Sequence, residues 1–92
     1  MEKNIVIELY NILEEIGESM FLPDNDIKFY CDLNYDSLRV QLLIVNPKNN
    51  NAHNRCYIDK DNLNNSMSTE ELKIFAHKLV LSSVLEVTKE TK

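Results

Sequence analysis

The sequence predicts a two-layer α+β domain in the order α-β-β-β-α, a three-stranded antiparallel meander with two helices on one face. Near both ends of the chain, apolar residues recur every three or four positions, whereas apolar and polar residues alternate in the middle. The 92 residues are 43% hydrophobic, enough for a core, so we expect one domain over residues 1–92.

The first predicted helix covers residues 5–20, because its apolar side chains fall on one stripe. Pro23, Asp24 and Asn25 then end the helix and begin a turn. The stripe consists of Ile5, Leu9, Ile12, Leu13, Ile16 and Met20.

The next two segments, 27–33 and 38–45, are predicted strands joined by a turn at 34–37. Their alternation gives each strand one buried face and one open face. Pairing Leu33 with Leu38 sets the predicted register, which places Asp32 opposite Arg39 as a cross-strand ion pair.

A third strand is predicted at 55–59, and the asparagine-rich stretch that begins at Asn46 is read as a long hairpin loop before it. Cys31 and Cys56 then lie on the two outer strands, about 10 Å apart, which is too far for a disulfide. We therefore expect two free thiols and a reducing compartment.

The last predicted helix covers residues 69–87 and begins with a capping box, in which Ser68 is followed three residues later by Glu71. One apolar face of this helix suits the sheet. A second stripe near the opposite side suggests a homodimer seam or a partner surface. The alternative is that the first helix covers this stripe within one chain. The stripe consists of Ile74, His77, Leu81 and Leu85.

Negative charge is concentrated at the start of the chain, where residues 1–26 hold seven acids and one lysine. Outward carboxylates on a helix could imitate a phosphate backbone and occupy a basic channel of another protein. The alternative is an ordinary solvated face. The candidate acids are Glu8, Glu14, Glu15 and Glu18.

The open face of the sheet is a third candidate surface, because it combines aromatic and cationic side chains. Such a face can stack single-stranded bases, bind a protein, or be an ordinary half-exposed sheet. The net charge of −5 makes direct nucleic-acid binding the least expected of the three. Its predicted residues are Tyr30, Arg39, Leu43, Arg55 and Tyr57.

No motif indicates catalysis, a cofactor or a metal, so we expect a protein that is not an enzyme. His53 and Cys56 have no neighbour that would orient a base. Residues 59–70 resemble a calcium loop only in part, because Leu63 occupies a ligand position and Asn64 replaces the required glycine. We expect neither a signal peptide nor a membrane span, and a cytoplasmic location.

The element order resembles that of the double-stranded-RNA-binding domain over most of the chain. That family has a basic cluster and a Gly-Pro-x-His loop where this sequence reads "STEELK" (68–73) and "NYDS" (34–37), so RNA binding is not implied. Small size, acidity and the helix "IELYNILEEIGES" (7–19) resemble phage anti-CRISPR inhibitors, which bind a CRISPR effector. The chain also resembles, more loosely, secretion chaperones, which are acidic dimers with helices on a small sheet.

The sequence therefore favours a protein-binding inhibitor of a nucleic-acid-handling effector, of the anti-CRISPR type, that acts through its acidic helix. The first alternative is a small homodimeric adaptor or chaperone that uses the apolar stripe of the last helix. The second is single-strand binding on the open sheet face.

Overall fold

The computed structural model describes residues 4–89 and has the predicted α+β order. The predicted domain, 1–92, extends beyond these residues at both ends. The elements are helix α1, strands β1, β2 and β3, and helix α2, with a short 3₁₀ turn at Lys60–Asn62 before α2. Their bounds are Ile5–Met20, Lys28–Asn34, Arg39–Asn46, Ala52–Ile58 and Thr69–Thr88.

The three strands form an antiparallel sheet in the order β1-β2-β3, and the core lies on one of its faces. Val40, Leu42 and Ile44 of the central strand point into this core and are fully buried. Their neighbours Gln41, Leu43 and Val45, on the other face, are only half-buried. Both helices contribute to the same core, so they cover one face and leave the other open.

The predicted register of the first hairpin is wrong by two residues. Leu33 pairs with Val40, so Asp32 lies opposite Gln41, and Arg39 pairs with Asn34. The turn takes in Leu38, which has a φ of 50° and therefore lies in the left-handed region rather than in the strand. The Asn34 side chain accepts from the backbone N–H groups of Asp36 and Ser37 and fixes this turn.

Helix α1 has the predicted bounds, and the Asn4 side chain caps it by accepting from the N–H groups of Val6 and Ile7. The prediction is wrong for Met20, which is 55% exposed. The chain leaves the helix at this point, and Phe21 packs against the core instead, with its ring stacked on that of Phe29.

The asparagine-rich stretch forms a short turn over residues 47–51 rather than a long loop, because β3 begins at Ala52 instead of residue 55. Asn50 and Asn51 have φ values of 55° and 57°, and asparagine tolerates this left-handed conformation better than most residues. The amides of Asn46 and Asn49 both donate to the carbonyl of Val87. Asn49 also donates to that of Lys89, so the turn caps the end of α2.

We expect Asn49→Ala to lower the free energy of unfolding by about 1 to 2 kcal/mol, because it removes both of these cap contacts. Chemical denaturation would measure the change. Asn65→Ala, at an exposed asparagine away from the helix end, is the matched control and should leave the unfolding midpoint unchanged. Equal effects of the two substitutions would contradict the capping role.

Helix α2 begins with the predicted capping box and ends at Thr88, one residue later than predicted. The hydrogen bonds with Ser68 lower the pKa of Glu71, which keeps this carboxylate ionised at the helix start. The inward face of the helix is buried against the sheet. Its buried residues are Leu72, Ala76, Val80, Ser83 and Val87.

Candidate interaction surfaces

The side of α2 that faces away from the sheet carries three exposed apolar residues, Ile74, Leu81 and Leu85, which we call the outer face of α2. They are 55%, 60% and 56% exposed. The first helix does not cover them, so the alternative in which α1 hides this stripe within one chain is wrong. The outer face of α2 is therefore available to another molecule.

An apolar groove of about 470 Å³ joins this face to the end of α1. Leu81 borders the groove from α2, and Ile16 and Met20 border it from α1. Because Met20 is exposed rather than buried, the apolar surface extends from α2 across to α1. The sequence did not predict this extension, since Met20 fits the core stripe of α1 by spacing.

His77 lies beside the outer face of α2 and is exposed. Its Nδ1 atom is 2.8 Å from the carbonyl oxygen of Lys73, one turn earlier in the helix. The ring also borders the apolar groove. His77 therefore belongs to the polar rim of this surface.

The four candidate glutamates of α1 do not form one outward face. Glu8 is half-buried and accepts a 2.8 Å hydrogen bond from the hydroxyl of Thr69, at the start of α2. Glu15 also lies toward α2, near Lys73. Glu14 and Glu18 lie on the other side of the helix, toward β1.

Glu14 and Glu18 instead share a groove of about 690 Å³ with Asp32 of β1. Cys31 borders the same groove, and burial, Glu14 and Asp32 together raise its pKa to about 12. Burial and the nearby Glu14 also raise the pKa of Tyr10. The thiol of Cys31 is thus held protonated, which makes it a poor nucleophile.

The five residues predicted for the open sheet face do lie on it. Tyr30 and Tyr57 are 55% and 52% exposed, on the two outer strands. Leu43 of β2 lies between Tyr30 and Arg55 in one row of the sheet. Arg39 lies over the ring of Tyr57, with its guanidinium carbon 5.7 Å from the ring centre.

Within residues 4–89, no three His, Cys, Asp or Glu side chains come together in a way that could hold a metal ion. In the same part of the chain, neither helix is both long and apolar enough to cross a membrane. Cys31 and Cys56 are free thiols on the two outer strands, and each is paired with Leu42 of the strand between them.

Comparison with known proteins finds no match of any kind. No protein-family model matches the chain, and no curated protein or solved structure is significantly similar to it.

Proposed function

We propose that this chain is a non-enzymatic protein-binding domain that holds a second protein molecule on the outer face of α2. The exposure of Ile74, Leu81 and Leu85 is the observation that carries the proposal. Fully burying such a side chain is worth roughly 1.5–3 kcal/mol, so covering three half-exposed ones yields a substantial part of a binding energy.

The surroundings of these residues fit an interface. An apolar centre with a charged rim is typical of protein–protein contacts, and Lys73, Lys78 and Glu86 provide exposed charges near the apolar residues. The adjoining groove offers a recess for an apolar side chain of the partner. A second copy of the chain on this face would make the protein a homodimeric adaptor or chaperone.

A second candidate function is inhibition of a nucleic-acid-handling protein, of the anti-CRISPR type, through acidic side chains. The groove shared by Glu14, Glu18 and Asp32 supports it, because three carboxylates surround a recess that a lysine or arginine side chain could enter. Glu8 and Glu15 lie toward α2 and would contribute less.

Photo-crosslinking tests the proposal in cells that naturally make the protein. A photoreactive residue at Ser82, which is exposed beside Leu81, should give a product larger than the monomer, whereas one at Asn11 on α1 should not. Leu81→Glu should reduce the Ser82 product at least tenfold, because it places a charge in the apolar centre. Tyr35→Glu, at an exposed aromatic residue outside this face, should leave the product intact.

The outcomes separate the alternatives. A product of twice the chain mass identifies a homodimer, and any other mass identifies a different protein. Loss of the product with Glu14→Lys and Glu18→Lys, but not with Leu81→Glu, would favour the acidic inhibitor. A Ser82 probe that captures no protein would contradict the use of the outer face of α2.

A further inference from the structure

Tyr57 lies between the two arginines of the chain on the open sheet face, and we call these three residues the arginine–tyrosine patch. Arg55 precedes Tyr57 by two residues on β3, so the two side chains point to the same side about 7 Å apart. Arg39 of β2 lies against the Tyr57 ring, 5.7 Å from its centre. Neither α1 nor α2 covers this face.

Neither guanidinium has an anionic partner in the part of the chain that the structure describes. Among the carboxylates of residues 4–89, none forms a salt bridge with Arg39 or Arg55. The register of β1 and β2 explains this for Arg39, because it places Asp32 opposite Gln41 and not opposite Arg39, as the sequence had predicted. Both arginines are exposed, beside an exposed aromatic ring.

The remaining residues of the face limit what can bind there. The Nζ atom of Lys28 is held at the end of β1, where it donates to the carbonyl oxygens of Pro23 and Asn25. Asp32 of β1 borders the same recess as Arg39 and Tyr57, and Glu14 and Glu18 follow beyond it. A long polyanion such as a nucleic-acid strand would extend over both the arginine–tyrosine patch and these acids, and the acids would repel it.

We infer that the arginine–tyrosine patch binds a short acidic segment of a protein, one that carries carboxylates together with an apolar side chain. Each guanidinium can hold a carboxylate through two parallel hydrogen bonds. The half-buried Leu43 lies beside Arg55 in the sheet and gives the apolar side chain a place to pack. This surface is on the opposite side of the sheet from α2, so its occupation is independent of the function proposed above.

Fluorescence anisotropy with defined probes tests the inference on the full chain. The probes are a short fluorescein-labelled peptide of Glu, Leu and Gly, the same peptide with Gln in place of Glu, and a short oligothymidylate. We expect the Glu peptide to bind at least about tenfold more tightly than the Gln peptide. Arg39→Ala and Arg55→Ala should each weaken binding about three- to tenfold.

Lys48→Ala is the matched control, because it removes an exposed cation in the turn after β2. It should leave the affinity for the Glu peptide unchanged, and unfolding curves should show that all variants are folded. Equal binding of the Glu and Gln peptides, or of the wild type and the arginine variants, would overturn the inference. Tighter binding of oligothymidylate than of the Glu peptide, or failure of the Glu peptide to bind, would overturn it as well.

Discussion

Leu42→Ala is expected to lower the free energy of unfolding by about 2 to 5 kcal/mol, the largest effect of any substitution considered. Leu42 is fully buried on the core side of the central strand, where both helices close over the sheet. Truncation loses the apolar burial and leaves a cavity that the surrounding strands and helices cannot fill. For a domain of this size, each kcal/mol shifts the melting temperature by roughly 4–8 °C.

The adjacent residue provides the matched control for this prediction. Leu43 has the same side chain on the same strand but points to the open face, where it is half-buried. Leu43→Ala should cost less than about 1 kcal/mol in chemical denaturation, because little apolar surface leaves a packed environment. Similar losses for the two variants would mean that both faces of the sheet are covered.

Gly17→Ala is expected to destabilise the protein by about 1 to 2 kcal/mol, although alanine normally favours a helix over glycine by about 1 kcal/mol. A Cβ atom at Gly17 would lie 2.5 Å from Cε1 and 2.6 Å from Cδ1 of Phe29. The Phe29 ring cannot move away freely, because it stacks on Phe21 with 5.1 Å between ring centres. Crowding of this kind typically costs about 1–3 kcal/mol, which outweighs the gain in helix propensity.

Asn11→Ala serves as the control on the same helix. Asn11 is exposed, so the substitution should leave stability unchanged or raise it by a few tenths of a kcal/mol. The melting temperatures of the two variants should therefore shift in opposite directions, or by clearly different amounts. A Gly17→Ala variant at least as stable as the wild type would show that α1 and β1 are farther apart than described.

The sequence predicts the elements and the buried faces well, because both depend on local periodicity and caps. Helix α1 and the Ser68–Glu71 capping box were predictable for this reason. The register of the first hairpin was not, because a shift of two residues keeps every side chain on its own face and leaves the apolar pattern unchanged. The turn decides it, through the hydrogen bonds of Asn34 and the left-handed conformation of Leu38, and leucine gives no sign of that conformation.

The candidate surfaces also divide into features that depend on local spacing and features that depend on packing. Spacing along α2 was enough to predict that Ile74, Leu81 and Leu85 share a face opposite the sheet. The division of the glutamates between α2 and β1 depends on how α1 packs, and so does the groove at Met20. The contact of Arg39 with Tyr57 depends on the register between β2 and β3 and could not be predicted without it.

Methyl NMR in an extract of the cells that make the protein tests the central claim most directly. The claim predicts that the methyl signals of Ile74, Leu81 and Leu85 shift or broaden in the extract and lose contact with a soluble paramagnetic probe, while those of the buried Leu42 stay unchanged. If the protein self-associates, the purified protein should show the same protection as its concentration rises. The claim that a second protein molecule covers α2 would be contradicted if the signals of all three residues stayed unchanged in the extract. Their accessibility to the probe would then be the same in the extract as in dilute purified protein.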